Sequence, residues 1–501
     1  MEHVQAVRFF SKNPIRLKAA ALVISGWPFG FPGDPSTGHV PAGDDAAFGR
    51  LACPSLTRLN LQQKRSEPLL LRSVEMESSK QWKFTLKSDL FWWSGKPIAS
   101  DDLATFLRNQ ICPAATGALG VEVTCPKFEV NEIKDGKGTI PTATVVWQSQ
   151  PEFGPYVLND KAFFRRSGSA GIECAGLYRY RSTSAGEVDF LPAQGYPQKR
   201  PALQFKAAVE VKQSRKSRLD FTFASGMQKG QTCSKEGLFP AVAGILWNDQ
   251  TEGILATSPQ ARKALTQILP RGELLRAGAL GLGELVTSFI PRQHLGYNHS
   301  LRIRPYSVDD ASAALERVGW QRARSDSPRI DRKTGKPVSL RILLLDPDSA
   351  GSDLLQKVLG DSLALLGIQT EFVADAANLA HATGAKTSTE ASAFDGVLGV
   401  FAADWPAVNV IQSGRSNRML EKFMQSNFYR QSDNQRLAKT YATSLTNASP
   451  DFIALQRFHE KLYEAEVFSP IIQLGTCLDR SASAPAKLDF TDPDWLRLLL
   501  I

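Results

Sequence analysis

LRILLLDPDSAGSDLLQKVLGDSLALLGIQTEFV, residues 340–373, is the stretch that decides the fold. Leu340 to Leu345 is a short aliphatic run, the pattern of a strand buried on both faces. Ser352 to Leu366 reads as an amphipathic helix, Gly367 as its stop, and Ile368 to Val373 as the next strand. A strand, a helix and a second strand make a β-α-β unit, whose strands run parallel through a helical crossover. This half of the chain is therefore expected to be α/β.

Working outward, the same half carries further helices. Ser258 to Leu269 has a Ser cap, a Pro in its first turn, and Ala261, Ala264, Leu265 and Ile268 on one face. Ser307 to Trp320 pairs Ser307 with Asp310 in a capping-box analogue, and Gly319 is its predicted stop. Phe394 to Phe401 is a further strand, leading into Ala402-Ala403-Asp404-Trp405-Pro406. Before about Ile245 short strands dominate, among them Ala19 to Ser25, Thr142 to Trp147, Leu177 to Arg181, Val188 to Leu191 and Leu203 to Val211.

Length and composition set limits. At 501 residues the chain is too long for one compact core, so two or more lobes are expected. Hydrophobic residues at 43% and charged residues at 22% are the values of a globular protein. No run approaches the roughly 18 apolar residues of a membrane span, and no long apolar leader with a small-residue cleavage site is visible at the start. The formal charge of +9 comes from 59 Lys and Arg against 50 Asp and Glu. The basic residues are scattered, and their densest clusters, such as Lys161 to Arg166, mix with other types. A solvated basic surface rather than a nucleic-acid interface follows. Six cysteines contain no C-x-x-C pair, so no metal site is expected. Cys112 and Cys125 flank a Pro- and Gly-containing loop, either as a disulfide in an oxidising compartment or as free thiols.

The segment QWKFTLKSDLFWWSGKPIASDDLATFLRNQI, residues 81–111, carries a second signal. Trp82, Phe84 and Leu86 alternate with Lys83, Thr85 and Lys87 as in a half-buried strand. Ser94-Gly95-Lys96-Pro97 turns the chain, and Ser100, Asp101 and Asp102 can cap a helix bearing Leu103, Phe106 and Leu107. The segment resembles the signature of the family 5 solute-binding proteins of ABC transporters, with Trp92, Gly95, Pro97, Ile98, Ser100 and Asp102 at its steps. Further resemblances follow in order over most of the chain. They include Pro54 to Asn60 at a helix end, Gly176 to Arg179 at a turn, Gly244 to Asp249, Ala261 to Ala264, Ala311 to Trp320, Leu366 to Ile368, and Ala403 to Pro406.

The resemblance implies a two-lobed periplasmic-binding-protein-like α/β fold, of type II and the large peptide-binding subclass, with a hinge of two strands. Lobe I would take residues 1–243, including an extra subdomain at about 46–174. Lobe II would take 244–469, and 470–501 would return to lobe I, with Pro470 to Leu474 in the second hinge strand. It also implies a site. Asp404 stands where peptide-binding relatives pair an Asp with the ligand's ammonium group, although it could merely cap the turn before Pro406. Trp405 and the aromatic loop holding Trp27 and Phe29 would line the cleft. No catalytic residue, metal or cofactor is expected. His294 and His299 share a loop, and His459-Glu460 lacks the second His of a metalloprotease motif. The expected partners are a small peptide or similar solute and an ABC permease, acting on a monomer in the periplasm or cell envelope. The alternative is a non-exported sensor of the same fold acting on a regulatory partner.

Overall fold

The computed structural model describes residues 21–27, 52–116, 125–194, 202–207, 221–224, 235–248, 254–276, 283–344, 352–373, 394–402 and 432–480, with gaps of three residues or fewer inside the second and third ranges. Lobe I opens with strand β1 (Ala21–Trp27). A subdomain follows, made of β2 (Thr57–Asn60), β3 (Arg65–Pro68), β4 (Leu71–Ser78), β5 (Gln81–Leu86), helix α1 (Ser100–Thr116), β6 (Lys127–Asp135), β7 (Gly138–Val146), β8 (Phe164–Ser167) and β9 (Gly171–Cys174). Strands β10 (Tyr178–Ser184), β11 (Glu187–Pro192), β12 (Ala202–Ala207) and β13 (Phe221–Ala224) complete the lobe, and β14 (Lys235–Trp247) leaves it. Lobe II holds α2 (Pro259–Gln267), α3 (Val308–Arg317), β15 (Ser339–Leu344), α4 (Ser352–Leu365), β16 (Gln369–Val373), β17 (Gly396–Ala402), α5 (Ser432–Leu445) and α6 (Phe452–Ala465). Strand β18 (Phe468–Arg480) runs back.

One eleven-stranded sheet links the lobes in the order β10-β11-β12-β1-β13-β18-β14-β17-β15-β16, with Gly283–Glu284 pairing beside β18. The expected β-α-β unit is present, because β15 pairs in parallel with β16 from Ser339↔Gln369 to Leu343↔Val373. Gly367 ends α4 at φ 72°, a left-handed conformation that glycine adopts without a Cβ clash. In lobe II the sheet is buried on both faces, and the period of two sorts its side chains. Ala243, Ile245 and Trp247 of β14 join Leu340, Ile342 and Leu344 of β15 in one core with α2, α3 and α4. Val242 and Leu246 join Leu343 and Val397 in a second core with α5 and α6.

The capped helices form as their sequences require. Ser258 Oγ accepts the Ala261 N–H at 3.2 Å, and Ser307 Oγ accepts the Asp310 N–H at 3.1 Å. Arg262 is buried and donates to the carbonyls of Leu255, Ala465 and Glu466. Arg329, fully buried, donates to the carbonyls of Leu366 at 2.8 Å and Trp320 at 2.6 Å and to Ser312 Oγ at 2.6 Å. These guanidinium groups tie helix ends to neighbouring segments, because each offers several donors in a fixed plane.

The subdomain has its own sheet, β4-β5-β7-β6, and α1 packs on it through Leu103, Phe106, Leu107 and Ile111. Its signature segment is a structural clamp. Gly95 turns at φ 80°, and Asp102 Oδ2 accepts the Trp92 indole N–H at 3.0 Å and the Ala99 N–H at 3.1 Å. Ser100 differs from its expected capping role: its hydroxyl donates to Asn131 O at 2.8 Å and accepts the Thr142 N–H at 3.2 Å, fastening the helix to β6 and β7. Thr57–Asn60 also departs from expectation, being a strand paired with β3 rather than a helix end. Two disulfides staple this region, Cys112–Cys125 and Cys53–Cys174. The first settles an open alternative, and the second spans 121 residues, which no local pattern announces.

Candidate ligand-binding site

The hinge has a chemical cause. Strands β14 and β18 pair from Lys235↔Leu478 to Leu238↔Gly475, then slip, and resume at Val242↔Gln473. Three residues of β14, including Pro240, therefore face the single Leu474. A second slip lies between Ala243↔Ile472 and Gly244↔Pro470. Proline has no N–H to give to a ladder, so strands bulge or break where it falls. Gly244 is needed there, because a Cβ would strike the Phe468 ring and the Ser469 carbonyl.

Strand directions aim both lobes at this break. Strand β17 is antiparallel to β14, and its last residue, Ala402, pairs with Ala241 beside the slip. In lobe I, β1 is parallel to β13, and Ala224 at the end of β13 pairs with Cys477, the end nearer the break. Thus the carboxyl ends of β1 and β17 approach the junction from opposite sides. In open α/β sheets such strand ends are where ligands bind. Trp27 is the last residue of β1, paired with Ala207. Asp404 follows Ala402 by two residues, but Asp404, Trp405 and Phe29 lie outside the described residues, as does the side chain of Trp27. The sequence-predicted set is not brought together in the described part of the molecule.

The lobes also touch at a seam outside the hinge ladder. Gly154 N donates to Thr446 Oγ1 at 2.7 Å, Tyr156 N to Thr446 O at 2.9 Å, and Ser66 N to Ala448 O at 2.9 Å. Asn159 Nδ2 reaches Ser66 Oγ at 2.7 Å and Leu445 O at 3.3 Å. Leu59 of β2 enters the core formed by α5 and α6. Here the expectation of a solvated basic cluster at Lys161 to Arg166 is corrected. Arg165 pairs with Glu173 at 2.6 Å and lies 4.8 Å over the Trp92 ring, while Lys161 is half-buried. Burial pushes the Lys161 ammonium group down to about 8.

Of the histidines set aside as catalytic candidates, His294 and His459 prove to be core and His299 is exposed. His294 stacks on Tyr441, whose hydroxyl lies 3.1 Å from Nε2. His459 Nδ1 accepts the Asn298 N–H at 2.8 Å, leaving Nε2–H to face Thr287 Oγ1 at 3.2 Å. Burial drives His459 down to about 3 and His294 well below the ordinary imidazole range. Both are neutral packing groups. Among the described residues no cluster of His, Cys, Asp or Glu could hold a metal ion, and no helix is long and apolar enough to cross a membrane.

No protein-family model matches the chain, and no curated protein is similar to it. Solved structures are. NikA from Brucella suis in complex with Fe(III)-EDTA superposes with a TM-score of 0.69 at 14% identity, covering 95% of this chain and 99% of that one. The oligopeptide-binding protein AppA from Bacillus subtilis in complex with a nonapeptide gives 0.67 at 13%, covering 96% and 98%. NikZ from Campylobacter jejuni in complex with Ni(L-His) gives 0.64 at 15%, covering 93% and 95%. The chain therefore has the two-lobed periplasmic-binding-protein fold over nearly its whole length.

Proposed function

We propose that this chain is a solute-binding protein that captures a small peptide or related solute between its lobes and delivers it to an ABC permease. The observation that carries this reading is the convergence of strand ends β1 and β17 on a hinge built from two proline-interrupted strands. Solutes in the similar structures, a nonapeptide and two metal complexes, support a cleft for small polar cargo. Lobe I takes residues 1–243 with the subdomain at about 46–174, lobe II takes 244–469, and 470–501 return. The slips in β14 and β18 support boundaries close to these. Closure is a shift of population, with the ligand stabilising the closed form by touching both lobes at once. Asp404 binds the solute's ammonium group, and Trp27, Phe29 and Trp405 line the cleft. The chain acts as a monomer in the cell envelope, where an oxidising compartment suits the Cys53–Cys174 and Cys112–Cys125 disulfides.

Thermal unfolding against di- to pentapeptides, sugars and nickel chelates tests the reading. A ligand at about 100 times its Kd adds about 2.7 kcal/mol, a clear rise in Tm. The rise is expected with peptides or chelates and is lost for peptides in Asp404→Ala. Stabilisation by none of them would sink the capture role.

A further inference from the structure

Helix α5 ends at Leu445, and the last carbonyls of a helix have no partner inside it. At the seam, lobe I supplies the donors. Asn159 Nδ2 gives to Leu445 O, Tyr156 N to Thr446 O, Gly154 N to Thr446 Oγ1 and Ser66 N to Ala448 O. All four bonds run from a lobe I donor to a lobe II acceptor, the direction that suits the negative end of a helix dipole. Thr446 Oγ1 donates its own proton to Thr443 O at 2.6 Å, so it meets Gly154 as an acceptor.

The packing there is that of a core. Leu59 is 3% exposed and shares its cluster with Tyr441, Leu445, Leu455 and Phe458. Gly154 and Thr446 are buried, and a Cβ at 154 would lie 2.4 Å from Thr446 O and 2.5 Å from Asn447 Oδ1. Only glycine lets the two backbones meet this closely.

Magnitude decides how such a contact behaves when the cleft opens. Four net hydrogen bonds and one buried leucine favour the docked form by on the order of 10⁴-fold. An open form that had to break all of them would fall below the roughly 0.1–10% at which a minor conformation is populated. We infer that the seam is a second pivot. The turn after α5 stays docked on the subdomain in the open and closed forms, and the lobes rotate about the line joining that turn to the slipped strands. Two fixed attachments leave one rotation and block sliding or twisting between the lobes. The inference rests on the capture role proposed above and states how its cleft opens.

Hydrogen exchange of the free, full-length chain, read at single amides by mass spectrometry, tests the pivot. The amides of Ser66, Gly154 and Tyr156 should exchange within about tenfold of those of Leu340, Ile342 and Leu343 in the buried strand β15. A seam that parted at each opening would protect its amides by no more than about 10³-fold, so exchange faster than that tenfold margin overturns the pivot. Gly154→Ala forces the turn away and should speed exchange at Ser66 and Tyr156 at least about a hundredfold. Unchanged protection in β15 verifies that the variant is folded. Seam amides as slow in the folded variant as in the wild type would show that something other than docking protects them, and would also overturn the pivot. The wild-type measurement stands by itself where the variant fails to fold. If no peptide, sugar or nickel chelate raises the Tm while the seam amides stay slow, the capture role falls and the fixed joint remains. A Tm response with fast seam amides does the reverse.

Discussion

The lobe I subdomain and lobe II hold their non-local contacts by different chemistry. The subdomain is stapled by Cys53–Cys174 and Cys112–Cys125 around an aromatic core that includes Trp82, Trp92, Trp147 and Phe163. Between Cys233 and Cys477 the sequence has no cysteine at all. Lobe II instead runs buried guanidinium groups into helix-end carbonyls, at Arg262 and Arg329, and closes an ion pair between Arg304 and the buried Glu466 at 2.6 Å. The difference follows from architecture. A sheet covered on both faces by helices buries many helix ends, and each leaves carbonyls that need donors. The subdomain sheet has an almost wholly exposed edge strand, β6, so covalent links contribute more.

The largest break in this contrast should come from Arg329→Met. It keeps much of the side-chain volume but strands the Leu366 and Trp320 carbonyls and Ser312, and should cost about 3–5 kcal/mol in urea unfolding. A loss under about 1 kcal/mol would mean water replaces the guanidinium at no penalty.

Next in size are the disulfides. The pair C53S/C174S should cost about 2–5 kcal/mol, and more than C112S/C125S, because it closes 121 residues rather than 13. Equal losses would point to native-state effects instead of chain entropy. A reducing agent should lower the stability of the wild type more than that of the double-pair variant.

A pH series sharpens the comparison on the lobe II side. His459 and His294 have folded-state values below the ordinary 6.5, chiefly through burial, so the unfolded chain takes up protons that the folded one refuses. Their stabilising effect is whole above pH 6.5 and is lost as pH falls through about 3 for His459. The midpoint of urea unfolding should therefore drop between pH 6.5 and 4, with a shallower slope in His459→Gln. An unchanged slope in that variant would assign the acid sensitivity to carboxylates elsewhere.

The smallest effect is expected at Lys461–Glu464, an exposed pair at 2.6 Å one turn apart on α6. Lys461→Ala should change stability by no more than about 0.5 kcal/mol, and less in high salt. A larger loss would show that surface charge, and not only buried donors, holds lobe II.

Local periodicity made the α/β half legible. The strand from Leu340 to Leu344, the stop at Gly367 and the Ser caps at 258 and 307 each depend on neighbours within a turn or two, and each forms as read. What could not be read depends on distant chain. Ser100 looks like a cap, but Asn131 and Thr142 claim its hydroxyl. Lys161 looks like surface charge, yet its burial depends on segments that pair only in the fold. The Cys53–Cys174 link is of the same kind. For the candidate site, sequence supplied Asp404, Trp405, Trp27 and Phe29 through resemblance, and the strand ends supplied the direction in which their loops leave. The seam contacts of Ser66, Gly154 and Asn159 carry no sequence signal, since Ser, Gly and Asn are ordinary in loops.

The two slipped strands at the hinge have a mechanical consequence. A pair of strands with interrupted pairing bends readily across its width, but stretching or sliding it would break the ladder that remains on either side. The lobes therefore have one soft coordinate and several stiff ones, and displacement grows with distance from the bend. Residues at the fulcrum, such as Gly244 and Gln473, barely travel. A contact made far from them has the greatest leverage over whether the jaws stay shut.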